Sequence, residues 1–589
     1  MSRNQNERFA LNPTNIDISR SKFQRDSSVK TTFNVGDIVP FYLDEVLPGD
    51  TFSVDTSKVV RMQTPLTPIM DNIYLDTYYF FVPNRLVWKH WKELNGENNE
   101  SAWIPQTTYT VPQLTSPVDK GWQVGTIADY FGLPTGVPNL SVSALPFRAY
   151  ALVCNEWFRD QNLTDPLLIP DDDATVAGVN TGNYITDVAA GGLPFVAAKY
   201  HDYFTSCLPS PQKGPDVLVG LGPEGAAVVG NGNSVLWSKG SGDLKPSAGS
   251  GQFDPWLYGL VSGTSSSGSA GVNIARLRDT NPVPLPSGSE ITVSTGGIDG
   301  STRYGLSIPT AQQLKDAGYD SSATGLVVDL NSTAVTSINQ LRTAFQLQKL
   351  YEKDARGGTR YIEVLKAHFG VTSPDARLQR PEYLGGNRVP ININQVVQQS
   401  SSDATTKEYL GSTGAYSLTS DVHSDFTRSF VEHGYIIGLM VARYDHTYQQ
   451  GIPRTFSRKD RFDYYWPVFA NIGEQAVRNK EIYAQGTEVD NEVFGYQEAW
   501  ADYRYKPSIV TGEMRSQYAQ SLDVWHLADD YDKLPSLSDA WIREDKNTVD
   551  RVLSVTSKLS NQLFCDIYIS NNTTRPMPLY SIPGLIDHH

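Results

Sequence analysis

The chain has 589 residues, of which 39% are hydrophobic and only 19% charged, with 31 Tyr, 22 Phe and 11 Trp; it is long enough for several ordinary domains or one large β domain with big insertions. The formal net charge of −15 excludes a chain that neutralises nucleic acid unaided, because phosphate contacts are made by Lys and Arg, but it leaves open a shell whose genome is neutralised by a separate basic component. Cys154, Cys207 and Cys565 are too few and too scattered for a disulfide framework or a Cys-rich metal site. They read as reduced, buried thiols.

In chain order, residues 1–30 form a basic arm, with Arg3, Arg8, Arg20, Lys22, Arg25 and Lys30 set against Glu7, Asp17 and Asp26. Two readings of it stand: a solvated, mobile terminus, or an interior arm whose Arg3, Arg8, Arg20, Lys22 and Arg25 touch DNA or a neighbouring subunit. The polar start Met1 to Ala10 has no secretory core, and no apolar run approaches the roughly 18–20 residues needed to span a bilayer. The expectation is a soluble protein made in a reducing compartment, with no membrane insertion.

From Thr31 the text is strand-like. Phe33 and Val35 alternate, Pro48-Gly49-Asp50 marks a turn, and Phe52 and Val54 alternate again. The run Ile73 to Val82 puts Ile73, Leu75, Thr77, Tyr79 and Phe81 on one face and Tyr74, Tyr78, Phe80 and Val82 on the other, with Asp76 as the sole charge. A strand apolar on both faces is covered on both sides, by helices or by a neighbour, and Tyr78 and Phe80 are therefore candidate subunit-interface residues. Phe430 to Arg443 and Leu563 to Ile569 read similarly.

Helices interrupt the β text. Pro146 suits a first turn, followed by Phe147, Tyr150, Cys154 and Trp157 at spacings of three and four. A second helix starts near Thr336 or Ser337 and stops at Gly357-Gly358; a third carries Tyr361, Leu365 and Phe369 and ends at Gly370. Strands at both ends with helices between them predict an all-β core carrying long helix- and loop-containing insertions. Between Lys213 and about Asn331 the composition turns Gly/Ser-rich, as in Ser262-Gly-Thr-Ser-Ser-Ser-Gly-Ser-Ala-Gly271. Such a segment is either disordered or ordered by copies of itself at a symmetry axis. The expected organisation is thus an arm (1–30), a first β part with a helical insertion (31–212), the Gly/Ser-rich insertion (213–331), and a helical segment with the remaining β core and a C-terminal tail (332–589).

Candidate chemistry is sparse. Gly220-Leu-Gly-Pro-Glu-Gly225 matches a dinucleotide fingerprint, but no helix can follow before Gly230-Asn-Gly232, so it reads as a turn. Asp171-Asp-Asp173 follows Pro170 and reads as a solvated acidic tip rather than a cation site. There is no i, i+4 His pair of a zinc protease, no phosphate-cradling loop and no nucleophile elbow; no catalytic residue, cofactor or metal is expected. Arg454, Arg458, Lys459 and Arg461 interleave with Phe456, Phe462, Tyr464, Tyr465 and Trp466. Basic–aromatic interleaving can hold single strands, yet Phe462-Asp-Tyr-Tyr-Trp-Pro467 reads first as strand-face or interface packing, making Tyr464, Tyr465 and Trp466 further interface candidates.

Specific segments extend the reading. Thr31-Thr-Phe-Asn34, Asp44-Glu-Val-Leu-Pro-Gly-Asp-Thr-Phe52, Tyr78-Tyr-Phe-Phe-Val-Pro-Asn-Arg-Leu86, Asp202-Tyr-Phe-Thr-Ser206, Pro211-Gln-Lys-Gly214, Asp460-Arg-Phe-Asp-Tyr-Tyr-Trp466, Gly495-Tyr-Gln-Glu-Ala-Trp-Ala-Asp-Tyr-Arg504 and Ser581-Ile-Pro-Gly-Leu-Ile-Asp-His588 occur in this order. Together they resemble the major capsid proteins of gokushoviruses, within the Microviridae, and span nearly the whole chain except the Gly/Ser-rich insertion. The resemblance implies a viral jelly-roll β-barrel of two packed antiparallel sheets, and a shell of sixty copies around circular single-stranded DNA. It implies that the insertion forms a three-fold surface protrusion; host-receptor contact there is expected from that location alone. It also implies an internal scaffolding protein, a small basic DNA-binding protein and a DNA pilot protein as partners. The rival readings are a soluble glycan-binding or adhesive β-sandwich, which a glycan array would detect, and a β-rich hydrolase, which would need a carboxylate pair or triad.

Overall fold

Nine strands carry the main body: β1 (Ser21–Gln24), β2 (Ser27–Phe33), β3 (Val39–Val46), β4 (Thr51–Met62), β5 (Ile73–Pro83), β6 (Glu382–Pro390), β7 (Thr419–Ser429), β8 (Gly434–Tyr444) and β9 (Leu563–Arg575). The structure, a computed structural model, describes residues 19–99, 107–217, 338–400 and 410–580, and between 218 and 337 the strands at 228–230, 238–239, 257–262, 272–278, 281–284, 306–307 and 326–328. Two units result, Met1–Pro215 with Leu350–His589, and Asp216–Lys349.

In the first unit one sheet has the order β2-β9-β4-β7, with β1 also paired to β9, and the other has the order β3-β8-β5-β6. Every pairing within these two sheets is antiparallel, and β2 with β9, β3 with β8, β4 with β7 and β5 with β6 each form a ladder. The chain is therefore one long antiparallel ribbon wound over itself, which is the jelly roll. Two long excursions leave it: residues 84–381 at the bend of the ribbon between β5 and β6, and residues 445–562 between β8 and β9.

Period-two patterning explains how the sheets meet. Phe52, Val54, Val60 and Met62 of β4 and Leu563, Cys565, Ile567 and Ile569 of β9 point inward, against Val39, Phe41, Ile73, Leu75, Tyr79, Phe81, Ile436 and Met440 of the other sheet. Gly438 of β8 sits where a Cβ would lie 2.8 Å from Tyr42 Cβ and 3.0 Å from Phe41 Cζ, so only glycine fits between the sheets there.

The second sheet is apolar on its outer face too, and the chain covers that face itself. Helix α1 (Leu145–Val153) runs on as a wider turn, Cys154–Phe158, and Phe147, Tyr150, Trp88 and Trp122 join Phe80, Val82, Ile437, Leu439 and Val441 in a second core. This corrects the expectation for Tyr78 and Phe80. Phe80 is only 1% exposed, with its ring 5.3 Å from Trp157 and 5.7 Å from Tyr383. Tyr78 is half-buried, its ring 5.2 Å from Phe158. The 84–381 excursion supplies the cover that a neighbouring copy was expected to give, because it begins directly at the end of β5 and folds back over it.

The arm is corrected as well. Residues 21–24 and 27–33 are strands on β9, Ser21 opposite Arg575 and Ser27 opposite Ile569. An edge strand gains its backbone hydrogen bonds from the sheet and needs few apolar side chains, so its polar text concealed it. Residues 1–18, with Arg3 and Arg8, lie outside the described residues.

The helices α2 (Ile338–Gly357) and α3 (Tyr361–Phe369) fall where the spacing predicts, and Gly370 caps α3 at φ +69°. Cys154, Cys207 and Cys565 are buried free thiols. In the second unit, Leu257–Ser262, Val272–Arg278 and Asn281–Pro284 form a three-stranded antiparallel sheet, and Val228–Gly230 pairs with Leu326–Val328. These ladders form within one copy of the chain. Gly220-Leu-Gly-Pro-Glu-Gly225 lies outside the described residues.

Within the first unit, the segments that precede residue 216 and follow residue 349 lie side by side: the Lys213 N–H donates to the Tyr351 carbonyl at 3.2 Å. Replacing residues 216–349 by a linker of about six residues is expected to leave the jelly roll folded, since loop closure costs only about 0.6 kcal/mol per doubling of length. A thermal melt of the shortened chain should keep the main transition within a few degrees; its loss would show that the barrel depends on the insertion.

Candidate assembly surface

The excursion between β8 and β9 presents an exposed aromatic ridge. It is built of short 3₁₀ turns at Arg454–Ser457, Arg461–Asp463 and Pro467–Phe469, not the strand face expected for Phe462 to Pro467. The cause is local. Pro453 and Pro467 remove donors that a ladder would need, and the Asp463 carboxylate accepts the Lys459 and Asp460 N–H groups at 2.7 and 2.9 Å. Phe456 is 80% and Val468 87% exposed, while Tyr464, Tyr465 and Trp466 keep 41–52%.

These rings are held in place rather than free. Arg461 lies 4.8 Å above Trp466, and Arg458 lies 5.4 Å from the Tyr464 ring and 4.4 Å from that of Tyr503. Arg458 also pairs with Asp502, and Tyr465 packs 5.7 Å from Trp500. Guanidiniums over ring faces fix the ridge before contact, and burying each large side chain in an interface is worth about 1.5–3 kcal/mol.

The remaining candidates separate. Arg20 and Lys22 are exposed at the start of β1. Arg25 stays exposed but is engaged: its Nη1 and Nη2 donate to Asp44 at 2.6 and 2.9 Å, which pins β3 beside the β1–β2 junction. The Asp171-Asp-Asp173 tip is not simply solvated. Asp173 Oδ1 accepts from Trp88 Nε1 at 2.6 Å and lies 2.8 Å from His90 Nδ1, and the Asp172 carbonyl accepts from buried Arg148 at 2.9 Å. Among the described residues no group of three His, Cys, Asp or Glu could hold a metal ion, and no helix is long and apolar enough to cross a membrane.

Sequence reasoning passed over a buried ionic cluster at the base of this excursion. His446 lies 2.9 Å from Asp529 and 3.2 Å from Glu544, and Lys199 lies 3.3 Å from Asp529. Burial works against the imidazolium, but the two carboxylates outweigh it and raise His446 to about 9. These four residues are too far apart in the chain for any spacing signal.

A two-sheet jelly roll with long structured excursions and an exposed aromatic ridge places the chain among the jelly-roll proteins, a class that includes viral shell subunits, lectins and cupins. Comparison with known proteins makes this specific: the chain belongs to the capsid protein (F protein) family, whose model matches residues 13–585, and it is a structural protein of a Microviridae phage virion rather than an enzyme. It is 40% identical over 585 residues to capsid protein VP1 of Bdellovibrio phage phiMH2K, covering 99% of this chain and 98% of the relative. It is 42% identical to capsid protein VP1 of Chlamydia phage 1, covering 98% and 97%, and 41% identical to that of Spiroplasma virus 4, covering 96% of each.

Proposed function

We propose that sixty copies of this chain assemble into an icosahedral gokushovirus shell around a circular single-stranded DNA genome, with the ridge at 456–468 as a principal contact between copies. The exposed ridge carries this reading: an apolar, arginine-braced surface is costly to leave in water and is typical of interface centres. The net charge of −15 supports a division of labour in which a small basic protein neutralises most of the genome, joined by an internal scaffolding protein and a DNA pilot protein. Arg3, Arg8, Arg20 and Lys22 then face the interior. The insertion within 213–331 forms the three-fold protrusion and meets the host receptor.

The test is assembly itself. The parent chain, with its phage partners, is expected to sediment as shells or ordered subassemblies. Val468→Asp, which would bury an unpaired charge at the contact, should remain a folded monomer with an unchanged melt. Shells of Val468→Asp formed as readily as those of the parent would remove the ridge from the interface.

A further inference from the structure

The ridge is a series of short 3₁₀ turns without a ladder, so strand pairing does not hold its shape. A buried turn beneath it does, and the pivot of that turn is Trp500. Trp500 is 5% exposed and adopts the left-handed conformation, at φ +65° and ψ +28°. Among the described residues Asn139 and Gln379 are the other non-glycine residues at positive φ, and neither carries a ring. A bulky side chain is strained there, and such a conformation persists only where its surroundings over-determine it.

The surroundings of Trp500 do this from several sides. Its backbone N–H donates to Gln475 Oε1 at 3.0 Å, and its indole Nε1 donates to the Phe469 carbonyl at 2.9 Å. The indole packs 5.7 Å from the Tyr465 ring and 6.2 Å from that of Tyr503. Trp500 also caps the 3₁₀ turn Ala501–Tyr503, which reaches the ridge again: Arg458 lies 4.4 Å over the Tyr503 ring and pairs with Asp502, and the Tyr503 hydroxyl accepts the Tyr465 N–H at 3.4 Å. One buried turn thus grips the ridge at Arg458, at Tyr465 and at Phe469. Phe469 ends the turn Pro467–Phe469 that carries Val468, 87% exposed, so the indole hydrogen bond fixes the outermost apolar side chain of the ridge. A right-handed Trp500 would redirect its Cα–Cβ bond and withdraw the indole from Phe469 and Tyr465 together. The strain and the grip are therefore one feature.

We propose that Trp500 is the positioning residue of the ridge, a latch that holds Tyr465 and Val468 in the arrangement that meets a neighbouring copy. The inference rests on the ridge as a contact between copies, but the latch itself is measurable on the unassembled full-length chain, by hydrogen–deuterium exchange of residues 462–470. Trp500→Phe keeps a ring and removes the donor to Phe469. It should speed exchange there about tenfold while the main melt stays within a few degrees. Trp500→Gly, which takes positive φ without strain but brings no ring, should do the same. Trp541→Phe is the contrast: it loses an indole hydrogen bond in the same excursion, to the Tyr531 hydroxyl at 3.2 Å, and should leave exchange at 462–470 unchanged. Positioning is thereby separated from a general loss of stability. Should the Trp500 variants not fold, Gln475→Ala gives the same decision, because it removes the acceptor of the Trp500 N–H and leaves the ring. Exchange at 462–470 within twofold of the parent in Trp500→Phe, or in Gln475→Ala where the Trp500 variants do not fold, would overturn the proposal. Assembly with the phage partners tells the two readings apart. A need for about tenfold more Trp500→Phe protein to form shells supports both, whereas loosened exchange with shells formed as readily as by the parent leaves the ridge positioned by Trp500 but removes it from the contact between copies.

Discussion

Replacing His446 by alanine is expected to lower the stability of the main body by about 3–5 kcal/mol, the usual cost of leaving buried charge uncompensated. The imidazolium stands between Asp529 and Glu544, at 2.9 and 3.2 Å, while Lys199, 3.3 Å from Asp529, lies 4.8 Å over the Trp541 ring. Two carboxylates and two cations therefore balance in one buried site that joins the end of β8 to both long excursions. The pH dependence follows from the direction of each shift. His446 is raised to about 9 in the folded chain, against about 6.5 when unfolded, so its contribution is complete below about 6.5 and is lost as pH rises through 9. Burial works against the Asp529 carboxylate, but Lys199 and His446 outweigh it and hold it well below the usual range; its contribution is present above about 4 and fades in acid. Thermal melts at pH 6 and pH 9.5 should show the parent losing stability on the alkaline side and His446→Ala losing little more there. Equal alkaline losses in both proteins would contradict the assignment.

Asp76→Asn is the second large effect, expected to cost about 3 kcal/mol or more although the side chain keeps its shape. Asp76 is nearly fully buried and accepts from Arg388 at 2.7 and 3.2 Å, from Arg443 at 2.7 Å, from Tyr200 at 2.8 Å and from Tyr78 at 3.1 Å. The Tyr200 ring lies 4.4 Å from the Arg388 guanidinium and 4.2 Å from that of Arg443. An amide there loses the charge that balances both cations and turns donors toward donors. Burial opposes the Asp76 charge, but Arg388 and Arg443 prevail and keep its carboxyl below the ordinary value. The parent should therefore lose this stabilisation as pH falls through the carboxylate range, and the variant should not. Arg443→Met should cost more than Arg388→Met, because Arg443 is largely buried and Arg388 half-exposed. Denaturant unfolding at neutral and acid pH measures all three, and a stability of Asp76→Asn equal to that of the parent would refute the account.

Much of the fold was legible wherever one period ran long enough. The two faces of β5, the inward row of β9 and the three helices follow from spacing, because a half-buried strand or helix must repeat its apolar side chains at its own pitch. The arm misled because β1 and β2 gain their order from backbone pairing to β9, which leaves little trace in side chains. Asp76 stood out as a lone charge in an apolar strand, but its partners are contributed by β6, β8 and the excursion before β6. The ridge was visible as rings and arginines, yet its turns and its exposure were not.

By itself the sequence determined the class of core, the places where the chain turns, and the residues that must leave water. Tertiary structure alone decided what covers them: Phe80 is covered by the chain's own excursion, whereas the ridge rings and the outward rings of β9 stay partly exposed among the described residues. The reason is physical. Periodicity is a local property of a few turns or strands, whereas burial depends on which distant segment arrives, and in this ribbon Ser27 meets Ile569.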